Sequence, residues 1–97
     1  MALQFEWDAQ KTQANQRKHQ VSFEEARTVF GDQFARITED RDHSEGEQHW
    51  HILGMSKQQR VLVVAYTERS ETIHIITARK AEPGERRRYE TLRDKNQ

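Results

Sequence analysis

The sequence predicts an α+β fold in which helices pack on one antiparallel β-sheet. Two helix patterns come first, four runs of β-branched and aromatic residues follow, and a basic helix pattern comes last. Short polar breaks at Lys57–Gln59 and Arg69–Glu71 separate the last three runs and leave room only for hairpins. The predicted element order is β-α-α-β-β-β-β-α, which is an α+β architecture.

The N-terminal part of the chain carries the first helix signals. After a short extended run at Leu3–Glu6, Asp8 is suited to cap a helix that continues to about His19. Ser22 opens a capping-box pattern, Ser-x-x-Glu, for a second helix that ends at Gly31. Apolar residues recur at helical spacing within this second helix, so it is the clearest local prediction.

The remainder of the chain carries the strand signals and one more helix. The four predicted strands are Phe34–Asp40, His49–Ser56, Arg60–Glu68 and Thr72–Lys80. Pro83 stands where the first residue of a helix would, and Glu85–Lys95 continues as a basic helix.

Size and composition predict one domain, residues 1–97, because a chain of 97 residues can close one hydrophobic core. Hydrophobic and charged residues each make up 33% of the chain, which would suit disorder if they were evenly spread. The apolar residues are instead concentrated in the second helix and the strands. We expect a thin core that a bound partner could stabilise.

The chain has no cysteine, which excludes disulfides and thiolate metal sites. Its N-terminal residues lack the apolar run of a signal peptide or membrane span, so a cytoplasmic protein is predicted. Lys and Arg number 16, as do Asp and Glu, so any nucleic-acid binding must come from a local patch. The charge is segregated, with a net charge of −4 over Glu39–Glu47 and of +3 over Arg79–Lys95.

A first group of candidate functional residues lies on the first helix. Steps of three or four residues bring together Lys11, Asn15, Lys18 and His19. An imidazole can move protons near neutral pH, and an adjacent ammonium group can hold a phosphate, as RNA cleavage requires. The structural alternative is that His19 complements the helix dipole and the lysines are solvated.

A second group joins the last strand to the last helix. The strand end delivers Arg79, and the helix brings Arg86 and Tyr89 nearby. A metal-independent ribonuclease needs positive charge at the scissile phosphate, which guanidinium groups provide. The alternative is a solvated helix face or a docking strip for an acidic partner, which is favoured for Arg87, whereas function is favoured for Arg79 and Arg86.

A third group is acidic and rich in histidine. His43 and Glu47 precede His49 and His51, and alternation places the last two on one face of a strand. Two histidines and a carboxylate could bind a metal, but no known ligand spacing is present, so no metal is predicted. Motifs for phosphate loops, serine nucleophiles and zinc proteases are missing from the sequence, and no cofactor is predicted.

An ordered set of motifs resembles the BrnT family of ribonuclease toxins. The resemblance runs from about Phe5 to Glu90 and rests on Phe5-Glu6-Trp7-Asp8, Lys11 with Asn15 and Lys18-His19, Val21–Ala26, Asp40–Ser44 with Glu47, Gly54, and Ile76–Ala81 with Glu85–Glu90. No single motif is specific, but the ordered set is. Thr77 departs from the family pattern, in which we expect serine at this strand end.

The resemblance implies a RelE-like fold, RNA cleavage that arrests translation, and a cognate BrnA-type antitoxin with a ribbon-helix-helix part. Operator DNA would be bound only through the antitoxin, which is expected to cover the first helix and Arg86–Arg88. The catalytic candidates carried over from the family motifs are Lys18, His19, Arg79, Arg86 and Tyr89. The candidates for substrate binding are Trp7, Lys11, Arg69 and Lys80.

The expected reaction is attack by the 2′-hydroxyl on the neighbouring phosphate, without metal, to leave a 2′,3′-cyclic phosphate. His19 or Tyr89 would handle protons, and the phosphate would be bound and stabilised by Lys18, Arg79 and Arg86. Trp7 is a base-stacking platform or, more simply, a core residue. Two alternatives stay open, namely a non-enzymatic module that binds a partner or DNA and a toxin that has lost its activity.

Overall fold

The computed structural model describes residues 3–95 and confirms the α+β class. The described strands and α-helices are, in chain order, β1 (Gln4–Glu6), α1 (Ala9–His19), α2 (Phe23–Thr28), β2 (Arg36–Asp40), β3 (His49–Met55), β4 (Val61–Arg69), β5 (Thr72–Lys80) and α3 (Pro83–Lys95). Two short 3₁₀ turns follow α2 and β2, at Val29–Gly31 and Arg41–His43.

The strands form one mixed sheet in the order β1-β5-β4-β3-β2. Strands β2 to β5 pair antiparallel, and the two short polar breaks are hairpins as predicted. β1 pairs parallel with β5, with Phe5 opposite Ile73, so the prediction of an antiparallel sheet is wrong for this pair. Because most of the chain lies between these two strands, tertiary packing rather than a local turn sets their pairing.

Side-chain and backbone caps fix the limits of α1. The Asp8 carboxylate accepts hydrogen bonds from the backbone N–H groups of Gln10 (2.8 Å) and Lys11 (3.2 Å). The helix ends at Gln20, whose left-handed backbone (φ 58°) allows its N–H to donate to the Gln16 carbonyl.

The capping box predicted for α2 is half formed. The Ser22 hydroxyl accepts from the Glu25 N–H at 3.1 Å, but the Glu25 carboxylate turns toward the sheet. Hydrogen bonds from the Arg60 guanidinium and the Ser56 hydroxyl hold the pKa of Glu25 below its usual range, against the opposing effect of burial. Glu25 therefore ties α2 to the β3–β4 hairpin.

One face of the sheet packs against the N-terminal helices and forms the core. Its buried residues are Val21, Phe23, Ala26, Val29, Ile52, Leu62, Val64, Tyr66, Ile73, Ile75 and Ala78. Trp7 packs edge-on against Phe23, with ring centroids 6.3 Å apart, and contacts this core. This position favours the structural interpretation of Trp7 over a base-stacking platform.

α3 covers part of the opposite face of the sheet and is anchored by Tyr89. The Tyr89 side chain is 1% exposed, and its hydroxyl donates to Asp32 Oδ2 at 2.5 Å. Asp32 also accepts from the Met55 N–H at 2.8 Å. Gly54 lets the segment 32–35, which precedes β2, lie close to β3. A Cβ at Gly54 would lie 2.9 Å from Ala35 Cβ and 3.1 Å from Asp32 Oδ2.

Candidate active site

A cavity of about 120 Å³, here called the α3 cavity, lies between α3 and this second face of the sheet. Its lining residues are Arg36, Thr38, His51, Leu53, Val63, Glu85, Arg88 and Leu92. Arg36 and Arg88 are the two arginines of this lining, and neither forms an ion pair with a carboxylate among residues 3–95. The cavity can therefore attract a phosphate.

Arg79 is fixed at the border of this cavity by Glu85. Strand pairing places Arg79 opposite Val63, and its two terminal nitrogens donate to the two Glu85 carboxylate oxygens at 2.8 and 3.0 Å. The hydrogen bond from Arg79 lowers the pKa of Glu85 to about 2, against burial and with help from the Glu82 N–H. Both partners are charged at neutral pH, and this bidentate pair sets the direction of the guanidinium.

Helical periodicity decides which residues of α3 face the cavity. Glu85, Arg88 and Leu92 follow one another at steps of three and four and line it. Arg86 is exposed and lies outside this lining. Arg88, which the sequence interpretation did not single out as a catalytic candidate, therefore takes the place beside Arg79 that was expected for Arg86.

Tyr89 occupies an anchoring position rather than an exposed one. Burial and the interaction with Asp32 raise the pKa of Tyr89 to about 12, so the phenol keeps its proton at neutral pH. A buried hydroxyl committed to a carboxylate is a poor proton carrier. The structure thus favours a packing role for Tyr89 over the proton-handling role expected from the sequence.

The end of α1 forms a second surface, the α1 depression, at the edge of β5. The buried Asn15 amide accepts from the Ala78 N–H at 3.2 Å and donates to the Ala78 carbonyl at 2.8 Å. Asn15 thereby takes the place of a strand along the part of β5 that β1 does not pair with. The depression measures about 280 Å³ and is lined by Lys11, Ala14, Asn15, Lys18, His19, Ile76 and Thr77.

The two remaining substrate-binding candidates lie away from both surfaces. Arg69 donates to Glu47 at 3.1 Å, at the end of β4. The Lys80 ammonium lies 3.5 Å from the Gln20 side-chain oxygen, on the other side of β5 from Arg79 by strand alternation. Neither residue lines the α3 cavity or the α1 depression.

A cluster around Asp40 was seen in the sequence only as a weak metal pattern. Asp40 accepts from His43 Nδ1 at 3.0 and 3.1 Å, and His51 Nε2 lies 3.1 Å from Asp40 Oδ2. His49 approaches Glu47 instead, at 3.7 Å. In the described part of the chain no three His, Cys, Asp or Glu side chains are arranged to hold a metal ion.

These features define a small α+β protein that gathers arginine and histidine side chains on one face of its sheet. Residues 7–85 match the family described as ribonuclease toxin, BrnT, of type II toxin–antitoxin systems. The chain belongs to this family, which confirms the resemblance seen in its motifs and implies an antitoxin partner.

A solved structure shares the fold. The 1.1 Å crystal structure of the Brucella abortus ribonuclease toxin BrnT superposes with a TM-score of 0.65 at 19% sequence identity. The match covers 84% of this chain and 99% of that one. A search of curated proteins found no match.

Membrane insertion through a helix has no support in the described residues. No helix within residues 3–95 combines the length and the apolar character needed to span a bilayer.

Proposed function

We propose that this protein is an endoribonuclease toxin that cuts RNA without a metal ion and so inhibits translation. Membership of the BrnT family supports the ribonuclease activity. The α3 cavity is proposed as the place of the reaction, because Arg36 and Arg88, which form no ion pair within residues 3–95, line it beside the Arg79–Glu85 pair. Three guanidinium groups against one carboxylate leave a net charge of +2 at this site.

The arginines suit the charge that develops during RNA cleavage. When a 2′-hydroxyl oxygen attacks the adjacent phosphorus, negative charge grows on the phosphate oxygens until the bond to O5′ breaks. Cationic groups that are held in place beforehand stabilise this charge with little reorganisation. In this proposal Arg79, oriented by Glu85, and Arg88 supply the positive charge that a metal ion supplies in other nucleases.

The α1 depression is assigned to RNA on either side of the scissile bond. Lys11, Lys18 and His19 surround an open surface, and lysines that bind phosphates need no fixed geometry. The catalytic roles expected for Lys18 and His19 become binding roles in this proposal, because both residues lie outside the lining of the α3 cavity.

The wider proposal follows the family. Residues 1–97 act as one RelE-like toxin domain, and a BrnA-type antitoxin with a ribbon-helix-helix part neutralises it. Operator DNA is contacted only through that antitoxin. Since translation is the process inhibited, the toxin acts in the cytoplasm.

The test is cleavage of total RNA in EDTA by the wild type, Arg79→Ala and Arg87→Ala, each checked for folding by circular dichroism. Arg87 is the matched control because it is an exposed arginine of α3 outside the cavity lining. We expect fragments from the wild type and Arg87→Ala, and a rate about 10²–10³-fold lower from Arg79→Ala. Intact RNA in every lane would point to a binding module, and cleavage that EDTA abolishes would rule out the metal-free reaction.

A further inference from the structure

Asp40 is a buried carboxylate that two histidines approach from different elements. Its side chain is 9% exposed at the end of β2, His43 comes from the following 3₁₀ turn, and His51 comes from the neighbouring strand β3. His43 Nδ1 lies 3.0 Å, and His51 Nε2 3.1 Å, from the same oxygen, Asp40 Oδ2. One carboxylate therefore holds two imidazoles.

The distances assign the proton on each contacting ring nitrogen. Burial would raise the pKa of Asp40, but the His43 hydrogen bond and the nearby His51 bring it below its usual range, so the group is a carboxylate. A carboxylate oxygen and an unprotonated ring nitrogen would repel each other at 3.1 Å, so the nitrogen carries hydrogen. His51 Nδ1 and His43 Nε2 are the nitrogens left for other partners.

The surroundings of the two rings differ in charge. His51 lines the α3 cavity together with Arg36, Glu85 and Arg88, whose summed charge is +1. A positive charge on His51 would be repelled by the two arginines. His51 is therefore the ring placed to accept a proton, at Nδ1. His43 Nδ1, by contrast, lies within hydrogen-bonding distance of both Asp40 carboxylate oxygens.

Other charged groups near His43 sum to a net charge of −1. Arg41, in the same 3₁₀ turn, pairs with Glu39 of β2 at 3.5 Å, and Asp42 lies next to His43 in the chain. Both histidines can be reached from solvent, since the side chain of His43 is 73% exposed and that of His51 38% exposed.

We propose that His51 is the general base and His43 the general acid of RNA cleavage, with Asp40 as the positioning residue for both. This inference rests on the proposed ribonuclease function. His51 Nδ1 takes the proton of the 2′-hydroxyl as the O2′–phosphorus bond forms, and His43 Nε2 gives its proton to O5′ as the phosphorus–O5′ bond breaks. The products are a 2′,3′-cyclic phosphate and a 5′-hydroxyl, and solvent then returns a proton to His43 and removes one from His51.

General acid–base catalysis by His43 and His51 gives a pH dependence of the cleavage rate that a purely structural role would not give. The base must be neutral and the acid protonated, so the wild-type rate falls at both low and high pH. His51→Ala removes the acidic limb of the profile, and His43→Ala removes the alkaline limb. Asp40→Asn lowers the rate and changes the ring tautomers of both histidines in ¹⁵N NMR spectra.

The deciding experiment replaces O5′ with sulfur at a bond that the wild type is first shown to cut. A thiolate leaves without a proton, so cleavage of the sulfur substrate needs the general base but not the general acid. We expect His43→Ala and His51→Ala to be about 10²–10⁴-fold slower than the wild type on ordinary RNA. On the sulfur substrate His43→Ala should regain the wild-type rate while His51→Ala stays slow.

The control variant is His49→Gln. His49 lies on the same strand and face as His51 but approaches Glu47 rather than Asp40, so this variant should cut RNA as the wild type does. If His51→Ala does not fold, His51→Gln keeps the side-chain volume without a basic nitrogen. Wild-type rates from either alanine variant, or no rescue of His43→Ala by sulfur, would overturn the assignment. If the wild type cuts neither substrate, the ribonuclease proposal itself fails and this assignment falls with it.

Discussion

The α3 cavity and the α1 depression both place cationic side chains beside β5, but they hold them differently. At the border of the cavity, Arg79 is fixed by two hydrogen bonds to Glu85. In the depression, Lys18 and His19 form no side-chain hydrogen bond or ion pair with any residue in 3–95. Charge that is fixed in advance can stabilise a transition state, whereas mobile charge mainly increases affinity for a polyanion. We therefore propose that RNA is cleaved at the cavity, where Arg79 is fixed, and that the depression binds RNA.

The largest expected effect is that of Arg88→Ala on turnover. Removal of the positive charge that Arg88 places beside the scissile phosphate should lower kcat about 10²-fold and leave KM within about threefold. Steady-state cleavage of an RNA oligonucleotide measures both constants. An increase in KM with an unchanged kcat would assign Arg88 to RNA binding and would remove the difference between the two surfaces.

The next largest effect is expected on the free energy of unfolding, from the Arg79–Glu85 pair. Because folding lowers the pKa of Glu85 from 4.5 to about 2, the pair stabilises the protein fully above pH 4.5 and loses that contribution as the pH falls toward 2. Allowing for solvent screening, we expect Glu85→Gln to cost about 1–2 kcal/mol at pH 7 and much less at pH 2. Urea denaturation at several pH values measures the difference, and a cost that is independent of pH would contradict the assigned pair.

A smaller effect is expected at the α1 depression. Lys18→Ala should raise KM about fivefold, leave kcat unchanged and reduce the slope of log affinity against log salt by about 0.7. Fluorescence anisotropy with a labelled RNA at several salt concentrations reports the slope. A fall in kcat with an unchanged slope would place Lys18 in the chemistry, as the sequence interpretation had it.

The smallest effect is that of Tyr89→Phe, which removes the hydroxyl bonded to Asp32 but keeps the ring. Loss of this hydrogen bond should lower the free energy of unfolding by less than about 1 kcal/mol. The cleavage rate should stay the same, because Tyr89 anchors α3 and does not carry protons. Loss of cleavage in a folded variant would return Tyr89 to the list of catalytic residues.

Local patterns were enough to predict most of the fold. Asp8 and Ser22 marked the starts of helices, and the polar breaks before Arg60 and Thr72 marked the hairpins, because caps and turns are determined by residues close together in the chain. The parallel pairing of β1 with β5 was missed because no local pattern in three residues specifies a partner so distant in the chain.

The candidate site was only partly predictable, because it depends on how distant elements meet. Arg79 was proposed from its place at a strand end. Its pairing with Glu85 could not be predicted, because it depends on α3 folding back over the sheet. Arg88 rather than Arg86 lines the cavity, which local patterns could not predict because they do not determine how α3 is rotated relative to the sheet. Alternation placed His51 on one face with His49, within a weak metal pattern, but the approach of His51 to Asp40 depends on the register of β2 with β3.

The most direct test of the division between the two surfaces is a crystal structure of the protein with an RNA oligonucleotide that lacks the attacking 2′-hydroxyl at the cleaved position. Such an oligonucleotide binds without being cut at that bond. We expect the scissile phosphate in the α3 cavity, within hydrogen-bonding distance of the Arg88 guanidinium, with the flanking RNA along Lys18 and Lys11. A scissile phosphate at Lys18 and His19, with the α3 cavity unoccupied by RNA, would contradict it.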